Sequence, residues 1–191
     1  MDQDRRALIA AGGAAILLPA CATGAPMSAP VSFDPMPPLP VTPTPGRPGD
    51  FDFLSGEWRI HHRSIVNGEW LEYDGEATVY GILGGICSVE ELRIPARSFS
   101  GMGLRLLDVE NRVWSDHWVN ARSGVVSVPG QTGSFENAGI FVTDDNVDAV
   151  AMKYAGVWDN IAPNGCRWRQ ASSRDGGQTW EQNWIMDWVR V

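Results

Sequence analysis

The chain is poor in lysine: of 15 basic residues only Lys153 is one, and the rest are arginine. Against 23 acidic residues they leave a formal net charge of -8. That balance excludes the basic surface needed to neutralise phosphates, and with it nucleic acid as a partner. No apolar run reaches the roughly 18 residues of a membrane-spanning helix. Neither G-x-G-x-x-G after a strand nor G-x-x-x-x-G-K-[ST] occurs, so no nucleotide-binding loop is present. Apart from the adjacent His61 and His62, the histidines and cysteines lie far apart, so the spacing of a zinc site is wanting. At 191 residues the chain suits one domain with added segments.

What is present begins with an address. Residues 1–21 carry Arg5 and Arg6, an apolar stretch from Ala7 to Ala20, and then Cys21. A charged start, a short apolar centre and a small-residue exit form an export signal. The arginine pair and the glycine- and alanine-rich core read as a twin-arginine address. Leu18-Pro19-Ala20-Cys21 resembles the bacterial lipobox. That resemblance implies lipidation of Cys21 and a lipoprotein anchored in a membrane, facing the periplasm or the cell surface; the other reading is an ordinary signal with an incidental cysteine. Residues 22–49 hold nine of the 13 prolines. Proline fixes φ and removes the backbone donor, so this stretch is expected to be a disordered, extended tether.

Residues 50–191 carry all nine tryptophans. Their period is two. Trp58, Ile60 and His62 alternate with polar residues; Met102, Leu104 and Leu106 alternate with Gly101, Gly103 and Arg105; and Trp180 to Arg190 alternates likewise. Such alternation marks half-buried strands. Turn signals at Asn67-Gly68, Gly84-Gly85, Glu110-Asn111, Asn164-Gly165 and Asp175-Gly176-Gly177 divide eight to ten of them. A short helical turn fits Phe51–Leu54. The spacing implies an all-β meander of hairpins, a sandwich or an up-and-down antiparallel barrel.

Gly56-Glu57-Trp58 opens the first strand and Arg190 nearly closes the last. This placement resembles the calycin barrels, the lipocalins and their relatives, in which a G-x-W tryptophan packs under an arginine of the final strand. The resemblance implies a single closed barrel with Trp58 and Arg190 as structural residues of its floor. The motifs FDFLSGEWRIHHR at 51–63 and SSRDGGQTWEQNWIMDWVR at 172–190 also look like a family of bacterial lipocalin-like lipoproteins, more distantly similar to nitrobindin, a haem-binding calycin barrel. That likeness implies a fold and brings no established activity.

Ser173 to Trp180 fits the Asp-box pattern S-x-D-x-G-x-T-W. A propeller repeats this motif; a single copy reads as a structural hairpin tip organised by Asp175. If Ser173 lies opposite Thr179, Gln170 faces Gln182 and Trp168 faces Trp184. With Arg190 inward, all four point into the barrel, an aromatic wall with two amide handles. Trp168, Trp184, Gln170, Gln182 and His62 are therefore the candidate ligand-binding residues for a small apolar or amphipathic molecule. The alternative is an interior filled by its own side chains, leaving an interaction module on a tether. His61 and His62 face opposite sides and cannot chelate one metal. His62 or His117 would be the proximal residue in a haem reading, but no cofactor is expected. Asp116 shares parity with Trp114 and Trp118, so Asp116 and His62 are weak catalytic candidates for an isomerase or hydrolase. Cys87 and Cys166 either pair or remain buried thiols.

Overall fold

The computed structural model describes residues 35–37, 44–147 and 150–191. The export signal, Cys21 and most of the tether lie outside the described residues. Among the described residues no helix is long and apolar enough to cross a membrane.

Ten strands follow one another: β1 (Gly56–Val66), β2 (Glu69–Ile82), β3 (Cys87–Ile94), β4 (Phe99–Asp108), β5 (Val113–Asn120), β6 (Gln131–Phe135), β7 (Gly139–Val147), β8 (Val150–Ala162), β9 (Gly165–Ser173) and β10 (Glu181–Arg190). Each pairs antiparallel with its chain neighbour, and β1 pairs with β10, so the sheet closes into an up-and-down barrel with no free edge. The only helical pieces among the described residues are three short 3-10 turns, the first at Asp52–Leu54.

Closure sorts the side chains by parity. On β1 the inward set is Trp58, Ile60, His62 and Ser64, all buried. Opposite them on β10 stand Arg190, Trp188, Met186 and Trp184. On β4 the apolar trio Met102, Leu104 and Leu106 faces outward; the inward set is Gly101, Gly103, Arg105 and Leu107. The reason is steric. A Cβ at Gly101 would stand 2.1 Å from Cζ2 of Trp118, whose ring occupies that space. Local hydrophobicity on this strand gives way to the bulk arriving from β5.

The end of the barrel where β1 begins is plugged. The Trp58 indole donates to the Leu54 carbonyl at 2.7 Å. The Arg190 guanidinium lies 4.2 Å over the Trp58 ring and donates to the carbonyls of Phe53, Ser55 and Pro163 at 2.7, 2.6 and 2.9 Å. Phe51 reaches inward, its ring edge-on to Trp114 and Phe135, each with a centroid separation of 4.9 Å. Residues just before the plug extend it: Gly46 N–H donates to the Arg112 carbonyl at 2.7 Å and Gly49 N–H to the Gly85 carbonyl at 2.9 Å. Further up the chain, the Pro35 carbonyl accepts from Arg169 on the outer wall at 3.3 Å.

Lysine in place of Arg190 keeps the charge but loses the planar fork that reaches three carbonyls. Arg190→Lys is expected to lower unfolding free energy by about 2–3 kcal/mol, the cost of orphaned carbonyls and a lost ring contact. Urea denaturation followed by tryptophan fluorescence measures this. A loss within about 0.5 kcal/mol, the range of an ordinary surface change, would contradict the clasp.

Candidate functional site

Above the plug the interior divides into two levels. The deeper one is built around a charge. Arg105 of β4 projects inward and donates to Glu90 Oε2 of β3. Its Nε lies 3.6 Å from Asp116 Oδ1 of β5. Ring faces complete its surroundings: the guanidinium carbon is 5.3 Å from the Phe51 centroid and 5.1 Å from that of Trp158. Burial alone would lower the Arg105 pKa, but the Glu90 and Asp116 carboxylates outweigh it and raise it. Cys166 also belongs to this interior. Burial, then the Glu90 charge, pushes its thiol up to about 12, which leaves it a poor nucleophile. Cys87 and Cys166 are both free and buried.

The upper level is aromatic. His62 is completely buried, and its ring lies parallel to Tyr73 at 5.0 Å. The Trp184 indole N–H donates to His62 Nδ1 at 3.1 Å. Trp168 meets Trp184 edge-on at 5.6 Å, and Phe99 stacks on Trp118 at 6.3 Å. Tyr73, Phe99, Trp118 and Trp168 are only partly buried, as are Phe53, Ile86 and Phe135 toward the floor. Gly75 makes the level possible, because a Cβ there would lie 2.5 Å from His62 Nε2.

These positions sort the residues singled out by sequence. Trp168, Trp184, Gln170 and His62 share the interior face. Gln182 does not. A bulge between Gln182 and Trp184 places Gln182 opposite Ala171, and its Oε1 accepts from outer-wall Arg169 at 3.3 Å. Trp168 accordingly pairs with Met186, and Trp184 with Gln170. The amide that reaches Gln170 belongs instead to Asn183, whose Oδ1 accepts from Gln170 Nε2 at 3.0 Å. Asp116 and His62 are not brought together. Asp116 faces Arg105, while His62 bonds to Trp184 and feels the charges of His61, Asp74 and Arg97. Asp175 organises its turn: its Oδ1 accepts from the amides of Gln178 and Thr179, both at 2.9 Å, and these bonds with that from the Thr179 hydroxyl hold its carboxyl well below the usual range. Glu90 and Arg105 are interior residues that sequence reasoning missed. Glu90 sits in parity with Ser88, Leu92 and Ile94, which is the one signal that could have found it.

Neither His62 nor His117 is set up as an iron ligand. Accepting from Trp184 makes Nδ1 of His62 the bare nitrogen, so Nε2 carries the proton and is a donor. His117 faces outward on β5, where Nδ1 donates to the Ser127 carbonyl at 2.8 Å and Nε2 accepts from the Ser115 hydroxyl at 3.2 Å. Among the described residues no group of three or more His, Cys, Asp or Glu could hold a metal ion. No protein-family model matches the chain, and no curated protein matches it.

Burial, and then the charge of neighbouring His61, lower the pKa of His62 from 6.5 to about 4. The unfolded chain therefore binds this proton first as pH falls. Stability from a neutral His62 is complete above pH 6.5 and is lost as pH drops toward 4. The loss over that window is expected to be about 2–3 kcal/mol. His62→Gln should flatten that part of the urea-stability profile, and a profile unchanged in slope would contradict a neutral buried imidazole.

Proposed function

We propose that this chain is an exported, lipid-anchored binding protein of the calycin kind, holding a small, partly apolar ligand in its tryptophan-lined barrel. The aromatic interior carries this reading. Phe51, Leu54, Trp58 and Arg190 close the floor, and above it His62, Tyr73, Trp168 and Trp184 line the interior with rings. An aromatic wall with a few placed polar groups is the usual make-up of a small-molecule site. Gln170, Asn183 and His62 supply those groups. The envelope location rests on Arg5, Arg6 and the Leu18–Cys21 motif.

Acid–base catalysis by Asp116 and His62 gains no support from this geometry, since each is engaged with a different partner. The reading is tested with the full chain purified from the membranes of its own host. Native mass spectrometry is expected to show an added small mass that vanishes on denaturation. Cys21→Ser is expected to move the protein from the membrane fraction to the soluble fraction. A native mass equal to the lipidated chain, together with no binding of aromatic probes, would overturn the carrier function. Retention of the Cys21→Ser variant in the membrane fraction would overturn the anchor.

A further inference from the structure

The barrel interior holds an imbalance of hydrogen-bonding groups. Among the described residues, seven inward atoms on six residues are buried without a hydrogen-bond partner: His62 Nε2, Ser88 Oγ, Arg105 Nε and Nη1, and the indole nitrogens of Trp118, Trp158 and Trp188, with Arg105 Nε held only by the longer ion pair to Asp116. All but the Ser88 hydroxyl are donors only, His62 because Trp184 already fills its Nδ1 lone pair. No carboxylate or amide oxygen is among them. A buried donor without an acceptor costs about 1–3 kcal/mol, and native proteins rarely tolerate several. Phenylalanine would fill the indole sites without that cost. Unmet groups left by accident of packing would include acceptors; these are of one kind.

The charge inside has the opposite sense. Arg105 is the cation of a triad with two carboxylates, Glu90 and Asp116, so the guanidinium is already over-neutralised. An incoming anion would meet a net negative centre in a low-dielectric setting. A cationic ligand would add donors or apolar bulk where acceptors are wanted. Two flat ring pairs, Phe99 on Trp118 and His62 on Tyr73, both at interplanar angles of 11°, belong to the upper level.

We propose that the ligand is a neutral, flat, carbonyl-bearing molecule, a ketone or quinone type, that enters end-on and offers its oxygen to the donors around Arg105, Trp158 and Trp188. Trp158 is the natural first contact at depth, with its ring against Arg105 on one side and Trp188 at 5.5 Å on the other. This inference rests on the carrier reading and adds the ligand's chemical class to it.

The test is equilibrium dialysis of the full chain against four probes with one ring system: 2-acetylnaphthalene, naphthalene, 2-naphthoate and (2-naphthylmethyl)trimethylammonium. The ketone is expected to bind about tenfold more tightly than each of the others, roughly one to two hydrogen bonds' worth. Trp158→Phe and Trp188→Phe keep a ring and remove one donor each. Each is expected to weaken ketone binding about fivefold and leave naphthalene within about twofold. Equal binding of ketone and naphthalene would mean that water serves the donors; it would overturn this inference and leave the carrier reading standing. Tightest binding of the carboxylate or the ammonium would overturn it on charge, again with the carrier intact. Binding of none of the four would overturn both. The comparison on the unsubstituted chain needs no variant to fold.

Discussion

The guanidinium of Arg190 is held between the Trp58 ring and three backbone carbonyls that come from different places in the chain. Phe53 and Ser55 precede the first strand, Pro163 lies in the turn before β9, and Arg190 itself ends the last strand. One side chain therefore ties the seam of the barrel to its floor. An arginine is suited to this because its donors are fixed in a plane and weakly hydrated, so little freedom is lost for each bond formed. Closure depends on it in a specific way. The β1–β10 seam joins the most distant parts of the domain, where chain entropy opposes pairing most strongly. Placing the strongest polar clasp at that seam offsets the opposition where it is greatest, and everything inside the barrel follows from the sheet having closed.

Inside, the fold accepts a cost that a plain hydrophobic core avoids. Glu90, Arg105 and Asp116 are a set of charges taken out of water, and such a set contributes little net stability compared with well-packed apolar residues. Its members come from three successive strands, β3, β4 and β5: Arg105 faces Asp116, while Glu90 faces Gly103 and reaches Arg105 on the diagonal. Removing one would leave the others unpaired in a medium that does not screen them. The triad thus fixes the register of these three strands more sharply than their side-chain volumes do, because a slip of one residue would send a charge to the wrong face. Gly103 is part of this economy: a Cβ there would stand 3.0 Å from Arg105 and 3.3 Å from the Glu90 carboxylate.

Much of the architecture was legible before any coordinates. Period-two patterning and turn signals marked strands whose number and order match the barrel, and the turn predicted near Phe51–Leu54 is the 3-10 turn at Asp52–Leu54. The candidate site was legible only by parity. Trp168, Trp184, Gln170 and His62 share a face because they sit on strands with clear alternation. Gln182 was misplaced because a bulge carries no sequence mark here; it costs one residue of register and leaves composition unchanged. Glu90 and Arg105 escaped notice for a different reason. They form a site only across strands, 15 positions apart in the chain. On β4 alone, Gly-x-Gly-x-Arg beside Met-x-Leu-x-Leu reads as an outward polar face. The inversion comes from the Trp118 ring and the triad, which are properties of the neighbours and not of the strand.

The bulge that displaced Gln182 also reconciles two local demands. At the upper end Ser172 pairs with Glu181, a register set by the tight turn that Asp175 and Ser173 organise. Below the bulge Gln170 pairs with Trp184 and Cys166 with Trp188, one residue further along β10. Without the inserted residue the upper register would continue downward and reverse the face of every side chain from Trp184 to Arg190. Ile185, Asp187 and Val189 would then point inward. Trp184 would lose His62, and Arg190 would leave Trp58. The turn and the floor lie at opposite ends of the same strand, and each has its own geometry to satisfy. A single extra residue at Asn183 lets both be satisfied. It also turns the Asn183 amide toward Gln170, so the polar contact nearest the tryptophan pair is a by-product of the correction that keeps the barrel's last strand in register.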